Sequence, residues 1–209
     1  MSLIRSLSRA GGMAVACALV AGCVSVLPKS KPAQLYRFGA AEPPAAAPAA
    51  RGAPAGKLIA LGRVDFVSAS NTDRILTVTG QDAAYIAESR WVSPAPVLFE
   101  EALTEAFQSA PGAPRLVGRG EFLRAPLTLG VQVQTFEARY DQGSDAPPEV
   151  VVRLHVMLVS NADRRMAAEQ DIVSTARASD NRVEPIVQAF NAAVQDALGK
   201  LVVWSGAAA

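Results

Sequence analysis

Three long segments between residues 127 and 176 limit the folds open to this chain more than any other feature of its sequence. In the first two, every second residue is apolar, which is the period of a strand with one buried face. These residues are Leu127, Leu129, Val131 and Val133, followed by Val150, Val152, Leu154, Val156 and Leu158. A third strand is expected at about residues 165–176, after a turn at residues 161–164. Consecutive strands with short connections predict an antiparallel meander.

The first segment changes phase near its end. Phe136 and Ala138 continue the apolar face one residue late, so the alternation is interrupted after Val133. An extra residue in one strand of an antiparallel pair produces this shift. The sequence therefore predicts a β-bulge near Gln134–Thr135.

Two amphipathic helices are predicted beside the strands. Ser93 and Pro94 are typical of an N-cap and a first helical position, and this helix is expected to end near Ser109. The second is expected over residues 183–203, either with Glu184-Pro185 as cap and first position or with a start one turn earlier. Each helix has an apolar stripe that needs a sheet to cover it. The stripes are Phe99, Leu103, Ala106 and Ala110 in the first helix, and Ile186, Phe190, Val194, Leu198 and Leu201 in the second.

Other strands are expected at residues 58–67 and 74–79, with shorter ones at 83–88 and 35–38. Together these elements predict an α+β fold. Its core is an antiparallel or mixed sheet with two amphipathic helices packed mainly on one face.

The N-terminus has the features of an export signal. Arg5 and Arg9 form a positively charged region before an apolar segment, residues 10–21. This segment is shorter than the roughly 20 residues of a transmembrane helix. Residues 19–23 (LVAGC) resemble the bacterial lipobox, in which an aliphatic and two small residues precede a cysteine. We expect cleavage between Gly22 and Cys23 and attachment of acyl chains such as palmitate at Cys23. A plain export signal that happens to contain a cysteine is the alternative.

Cysteine and charge counts limit the mature chain further. Cys17 lies in the removed signal, so Cys23 remains alone and no internal disulfide can form. Loss of Arg5 and Arg9 leaves 18 basic residues against 19 acidic ones. The mature chain therefore lacks the excess of basic residues that is typical of nucleic-acid-binding proteins.

The chain is expected to divide into four parts. Residues 1–22 form the signal peptide, 23–34 a lipidated tether, 35–204 a single domain and 205–209 a C-terminal tail. The Ala/Pro-rich stretch at residues 40–56 cannot build a packed core. It is either a linker before the domain or a loop after a first edge strand.

No catalytic, metal or cofactor site is predicted. His155 is the single histidine and shares a strand face with Arg153, opposite the aliphatic row. Glu100-Glu101 is interpreted as a solvated helix face, and Gly118-Arg119-Gly120 as a turn. Trp91 and Trp204 are interpreted as packing residues. An enzyme is not expected, and any ligand-binding residues stay unassigned.

Several short motifs recur together in one known family. They are the lipobox, Tyr36-x-Phe38, Asp73-Arg74-Ile75-Leu76, Arg90-Trp91 before a helix, Phe136-Glu137-Ala138 at the end of a long strand, and Ala189-Phe190 in the last helix. In this combination the chain resembles the ABC-type transport auxiliary lipoproteins, which are partners of MCE-type lipid transporters. It departs from more distant members at residues 68–71, where they have a proline-containing turn.

The resemblance implies a non-enzymatic protein held by its lipid at the periplasmic face of the outer membrane. There it would dock an MCE-domain protein that works with a permease and an ATPase, with phospholipid as a cargo. A homo-oligomer that matches the symmetry of the MCE ring is a further expectation. The residue after Cys23 is Val24, without the aspartate that favours retention in the inner membrane.

Two other functions stay open at this point. One is a lipoprotein that activates or scaffolds a cell-wall enzyme, which also needs a small domain on a long tether. The other is a periplasmic lipid-binding carrier with an enclosed pocket, although only 6% of the residues are aromatic.

Overall fold

The computed structural model describes residues 32–39 and 57–209. Within these ranges it contains eight strands, two α-helices and a short 3-10 helix at Ser68–Ser70. The strands are β1 (Gln34–Tyr36), β2 (Leu58–Phe66), β3 (Arg74–Thr79), β4 (Asp82–Trp91), β5 (Arg115–Val117), β6 (Leu127–Arg139), β7 (Glu149–Ser160) and β8 (Met166–Arg177). The helices are α1 (Ala95–Ser109) and α2 (Val183–Ala208). The predicted signal peptide, Gly22, Cys23 and the segment 40–56 lie outside the described residues.

Strand β6 is the centre of a mixed sheet. One edge of β6 pairs with β7, and β7 pairs with β8, so these three strands form the predicted antiparallel meander. The other edge is divided between two parallel neighbours, because β2 pairs with residues 127–133 and β3 pairs with Ala138 and Arg139. Strand β5 extends the sheet beyond β2, while β4 and then β1 extend it beyond β3.

The predicted bulge in β6 is confirmed. The pairing of β6 with β7 shifts by one residue between Val133 and Thr135. Because the extra residue resets the alternation, Val133 and Phe136 both face the core and each is 2% exposed.

Both helices cover the same face of the sheet and contact each other. The aliphatic row of β7 is completely buried beneath α2, while α1 packs on β2 and β5. The α2 residues of the predicted stripe are also buried. The buried α2 residues are Ile186, Phe190, Val194, Leu198 and Leu201. The α+β fold, the mixed sheet and the placement of the helices on one face are therefore confirmed.

An aromatic cluster fills the core between the two branches of the sheet. The ring of Phe136 lies 5.1 Å from that of Phe38, 5.6 Å from Phe66 and 5.0 Å from Phe190, measured between centroids. Trp91 is 2% exposed and stacks edge-on against Phe38 at 4.9 Å. Trp91 is thus a packing residue, as predicted. Phe38 is part of the core, and Tyr36 packs against it.

The helix ends differ from the prediction. Helix α1 begins at Ala95 with Pro94 as its N-cap, so the expected cap at Ser93 is wrong. The Ala95 N–H donates to the carbonyl of Thr72, and this contact defines where α1 starts. Helix α2 has Arg182 as its N-cap, with Glu184 in its first turn. It continues to Ala208, so residues 205–208, expected as a tail, are helical, and Trp204 and Ala208 pack against the core.

Two strands also differ from the prediction. Strand β4 begins one residue earlier than expected and ends at Trp91, three residues later. Strand β5 was not predicted, because three residues are too few to show a period. No described helix combines the length and the hydropathy that a membrane span requires.

Candidate interaction surfaces

The first residues of the domain are fixed by a clamp around Gly39. Its N–H donates to Oδ1 of Asn191 at 2.8 Å, and its carbonyl accepts from Nε2 of Gln195 at 3.2 Å. Asn191 and Gln195 are one turn apart on α2. The backbone of Gly39 has a φ of +79°, and a Cβ added there would lie 2.5 Å from the Cβ of Ala102 on α1. Glycine is therefore needed here both for its conformation and for space.

The chain enters the domain at the end of β6 that contains Arg139. Strand β1 is parallel to β4, β4 is antiparallel to β3, and β3 is parallel to β6. Strand β1 consequently runs antiparallel to β6. Because β3 pairs with β6 only at Ala138 and Arg139, Ala33 lies toward this end of the sheet.

A loop at residues 118–126 lies at the opposite end, immediately before Leu127. Its first half is held by Glu121, whose carboxylate accepts from the Gly118 N–H at 2.9 Å and from Arg115 at 2.6 Å. Its second half is held by Asn161 in the β7–β8 turn. The Asn161 side chain donates to the Ala125 carbonyl, and its N–H donates to the Pro126 carbonyl, both at 2.9 Å.

Between these two supports, an apolar tip projects into solvent. Phe122 is fully exposed and Leu123 is 44% exposed. Arg124 is also exposed and forms no ion pair with any described residue. We refer to residues 122–124 as the loop tip. The sequence analysis missed it, although an apolar pair between Gly120 and Pro126, outside any helical or strand period, is a detectable signal.

The Glu100-Glu101 pair lies on the exposed face of α1, as predicted. Glu101 binds Arg37 at 2.9 Å, and Glu100 binds Arg119 of the loop. Together with neighbouring side chains they line a depression that is open to solvent. Its lining residues are Val97, Glu100, Glu101, Thr104, Glu105 and Gln108.

The face of the sheet opposite the helices carries His155 and Arg153. Nδ1 of His155 lies 2.8 Å from Oδ1 of Asp171, and because a carboxylate only accepts, the ring donates. Nε2 lies 3.9 Å from Glu169. Arg153 is exposed, and His155 is half-buried. The Asp171 carboxylate holds the ring in a cross-strand hydrogen bond, and none of the described residues in contact with His155 is a nucleophile.

Strand β8 is joined to α2 by three polar side chains. Ser174, which is 2% exposed, donates to Asp196 at 2.6 Å, and Lys200 binds the same carboxylate at 2.6 Å. Lys200 also donates to the Val173 carbonyl at 3.0 Å. The hydrogen bonds from Lys200 and Ser174 hold the pKa of the Asp196 carboxyl below its ordinary value. The described residues contain no group of three or more metal-binding side chains.

Comparison with known proteins gives the fold and the family. The XCC0632 protein from Xanthomonas campestris superposes with a TM-score of 0.66 at 19% identity, over 73% of this chain and 85% of that one. An uncharacterized protein gives 0.61 at 14% identity, over 83% and 99%. The hypothetical protein CT253 from Chlamydia trachomatis gives 0.53 at 9% identity, over 73% and 96%. At these identities the likeness shows the fold alone.

No curated protein matches the chain in sequence. The sequence profile of the family described as ABC-type transport auxiliary lipoprotein component matches residues 36–201, which confirms the resemblance drawn from the motifs. Because this match spans most of the chain, the protein belongs to the ABC-type transport auxiliary lipoprotein family.

Proposed function

We propose that this protein is the lipid-anchored, non-enzymatic auxiliary component of an MCE-type lipid transport system. Cys23 carries the lipid, and the domain docks the periplasmic part of the MCE-domain protein at the outer membrane. The transporter's permease and ATPase supply the energy, and phospholipid is the cargo. The observation that carries the proposal is the family match over residues 36–201.

The short tether supports docking near the membrane. Because β1, Phe38 and Gly39 belong to the packed domain, only residues 24–32 separate Cys23 from Ala33. Nine residues span at most about 30 Å when fully extended. This reach disfavours an activator of cell-wall enzymes, which needs a tether long enough to enter the peptidoglycan mesh.

The α1 depression disfavours a lipid carrier. Three of its six lining residues are glutamates, and it is open to solvent. Carboxylates are costly to desolvate, so an acyl chain would gain little by binding there. This supports a protein that holds the transporter over one that encloses the lipid.

Binding to the MCE-domain protein tests the docking role. The mature lipoprotein, purified in detergent, is titrated against the periplasmic region of the MCE-domain protein from the same genome. We expect a dissociation constant in the micromolar range or lower, and an oligomer by light scattering. Repeated weak contacts around a ring would strengthen binding. The absence of binding at tens of micromolar would contradict docking, and a strictly monomeric protein would contradict the ring.

Fatty-acid labelling tests the anchor separately. Wild type should incorporate labelled palmitate, and Cys23→Ser should not, because this variant lacks the lipobox thiol to which the diacylglycerol is attached. Fractionation should recover the wild type with the outer membrane. Continued labelling of Cys23→Ser would contradict the lipoprotein assignment.

A further inference from the structure

We propose that the loop tip, Phe122–Arg124, is the contact through which this protein binds its transporter partner in the periplasm. Phe122 and Leu123 would enter an apolar pocket of that partner, and Arg124 would face a carboxylate at the pocket edge. The proposal rests on the docking function proposed above and adds the surface and the chemistry of the contact.

The tip is exposed on a supported loop. Glu121 holds the residues before it to Gly118 and Arg115, and Asn161 holds Ala125 and Pro126 after it. A phenylalanine side chain gains free energy when it moves from water to an apolar site. The fold gains none of this from Phe122. Burial of Phe122 in a partner would therefore contribute to affinity, and the loop would lose little conformational entropy on association because it is already ordered.

The charges around the loop tip indicate which chemical group should border the partner's pocket. Arg115 is paired with Glu121, and Arg119 is paired with Glu100. Arg124 forms no ion pair in the part of the chain that the structure describes. The tip therefore offers two apolar side chains and one uncompensated guanidinium, which favours a pocket bordered by a carboxylate.

The position of the tip favours a protein over the membrane. Leu127, which follows the loop, is eleven residues along β6 from Ala138, or about 35 Å at the rise of a strand. Ala33, where the tether joins, lies at the Ala138 end. The loop tip therefore lies at the end of the sheet opposite the point where the tether joins. This distance from the anchored end of the domain favours a periplasmic protein as the partner.

Affinity measurements on matched variants test the assignment. The mature lipoprotein in detergent carries Phe122→Ala with Leu123→Ala, or Arg124→Glu, and is titrated against the periplasmic region of the MCE-domain protein. We expect the double variant to bind about 30-fold more weakly or worse, as for an interface hot spot. Leu35→Ala is the control, since Leu35 is 59% exposed at the opposite end. All variants should keep the wild-type melting temperature, because none of these side chains is buried.

The outcomes separate this inference from the docking function. Equal binding by wild type and the double variant would overturn the tip assignment and leave docking intact. If wild type does not bind in this assay, cross-linking in living cells from a photoreactive phenylalanine analogue at position 122 identifies what the loop tip contacts. A cross-link to the permease or another protein of the transporter would support the tip as a protein contact. A cross-link to lipid only, a cross-link to a second copy of this chain, or no cross-link would overturn it.

Discussion

The side chain of Asn191 accepts a hydrogen bond from the backbone N–H of Gly39 at 2.8 Å, across 152 positions of sequence. It joins the start of the domain to its last helix. Gln195 completes the contact by donating to the Gly39 carbonyl. The segment that follows the tether is thereby fixed to the same helix that covers the meander.

Gly39→Ala should lower the free energy of unfolding by about 3 kcal/mol. The new Cβ would meet Ala102 at 2.5 Å, and alanine would be strained at a φ of +79°. Gly112→Ala is the matched control, because Gly112 has a φ of +74° with open space around it and should lose only about 1 kcal/mol. Urea denaturation measures both. Equal losses would show that the Ala102 contact is unimportant.

Phe38→Ala should lower the free energy of unfolding by about 3–5 kcal/mol, the range for removing a buried aromatic ring. Phe38 is 2% exposed and contacts both Trp91 and Phe136. Leu35→Ala, three residues earlier and 59% exposed, should change stability by less than about 0.5 kcal/mol. Thermal unfolding of the two variants compares them. A mild effect of Phe38→Ala would mean that this segment is not part of the core.

Acid should weaken the link between β8 and α2. The pKa of Asp196 is lowered in the folded protein by hydrogen bonds from Lys200 and Ser174. Its contribution to the free energy of unfolding is therefore fully present above the pKa of the unfolded chain, near pH 4. That contribution is lost as the pH falls through the lower, folded pKa. We expect Asp196→Asn to be less stable than wild type at pH 7, with the gap narrowing below about pH 4. A pH-independent gap in melting temperature would contradict this mechanism.

His155→Ala should keep the protein functional. The ring makes a partly exposed hydrogen bond with Asp171, and such a contact contributes about 0.5–1.5 kcal/mol to stability. The variant should restore detergent resistance to a deletion strain as well as wild type does. Trp91→Ala, which removes a core side chain, should fail because it loses about 3–5 kcal/mol. A folded His155→Ala protein without activity would show that chemistry at this residue had been overlooked.

The sequence was most informative where side chains alternate between core and solvent. Strands β6 to β8 and the bulge after Val133 were predictable because burial imposes a period of two on each strand. Strand β5 could not be found in this way. Its three residues are a strand because Leu58–Ala60 of β2 offers a free edge beside them.

The candidate surfaces depended on contacts that no local pattern records. The Gly39 clamp joins residues that are 152 positions apart in sequence, so only the tertiary structure shows it. Phe122 was detectable in the sequence, because it forms an apolar pair with Leu123 between turn residues and outside any helical or strand periodicity. Its meaning depended on exposure, because an isolated phenylalanine in a loop can equally return to the core. The helix start at Ala95 was missed for a similar reason, as it is defined by the distant Thr72 carbonyl.

The parallel pairing of β1 with β4 has a mechanical consequence for an anchored protein. In the lipid-anchored protein proposed above, tension would reach the sheet at Gln34. A pull along β1 would load its parallel pairing with β4 in shear, so the hydrogen bonds between the two strands would have to break together instead of one at a time. Behind β1, Phe38 and Gly39 resist the same displacement. Forced unfolding is governed by the rate of unfolding. Single-molecule pulling through the N-terminus should therefore give a lower rupture force for Phe38→Ala than for wild type. The segment Gln34–Gly39 would then be the part of the fold that bears the load when the proposed anchor is pulled.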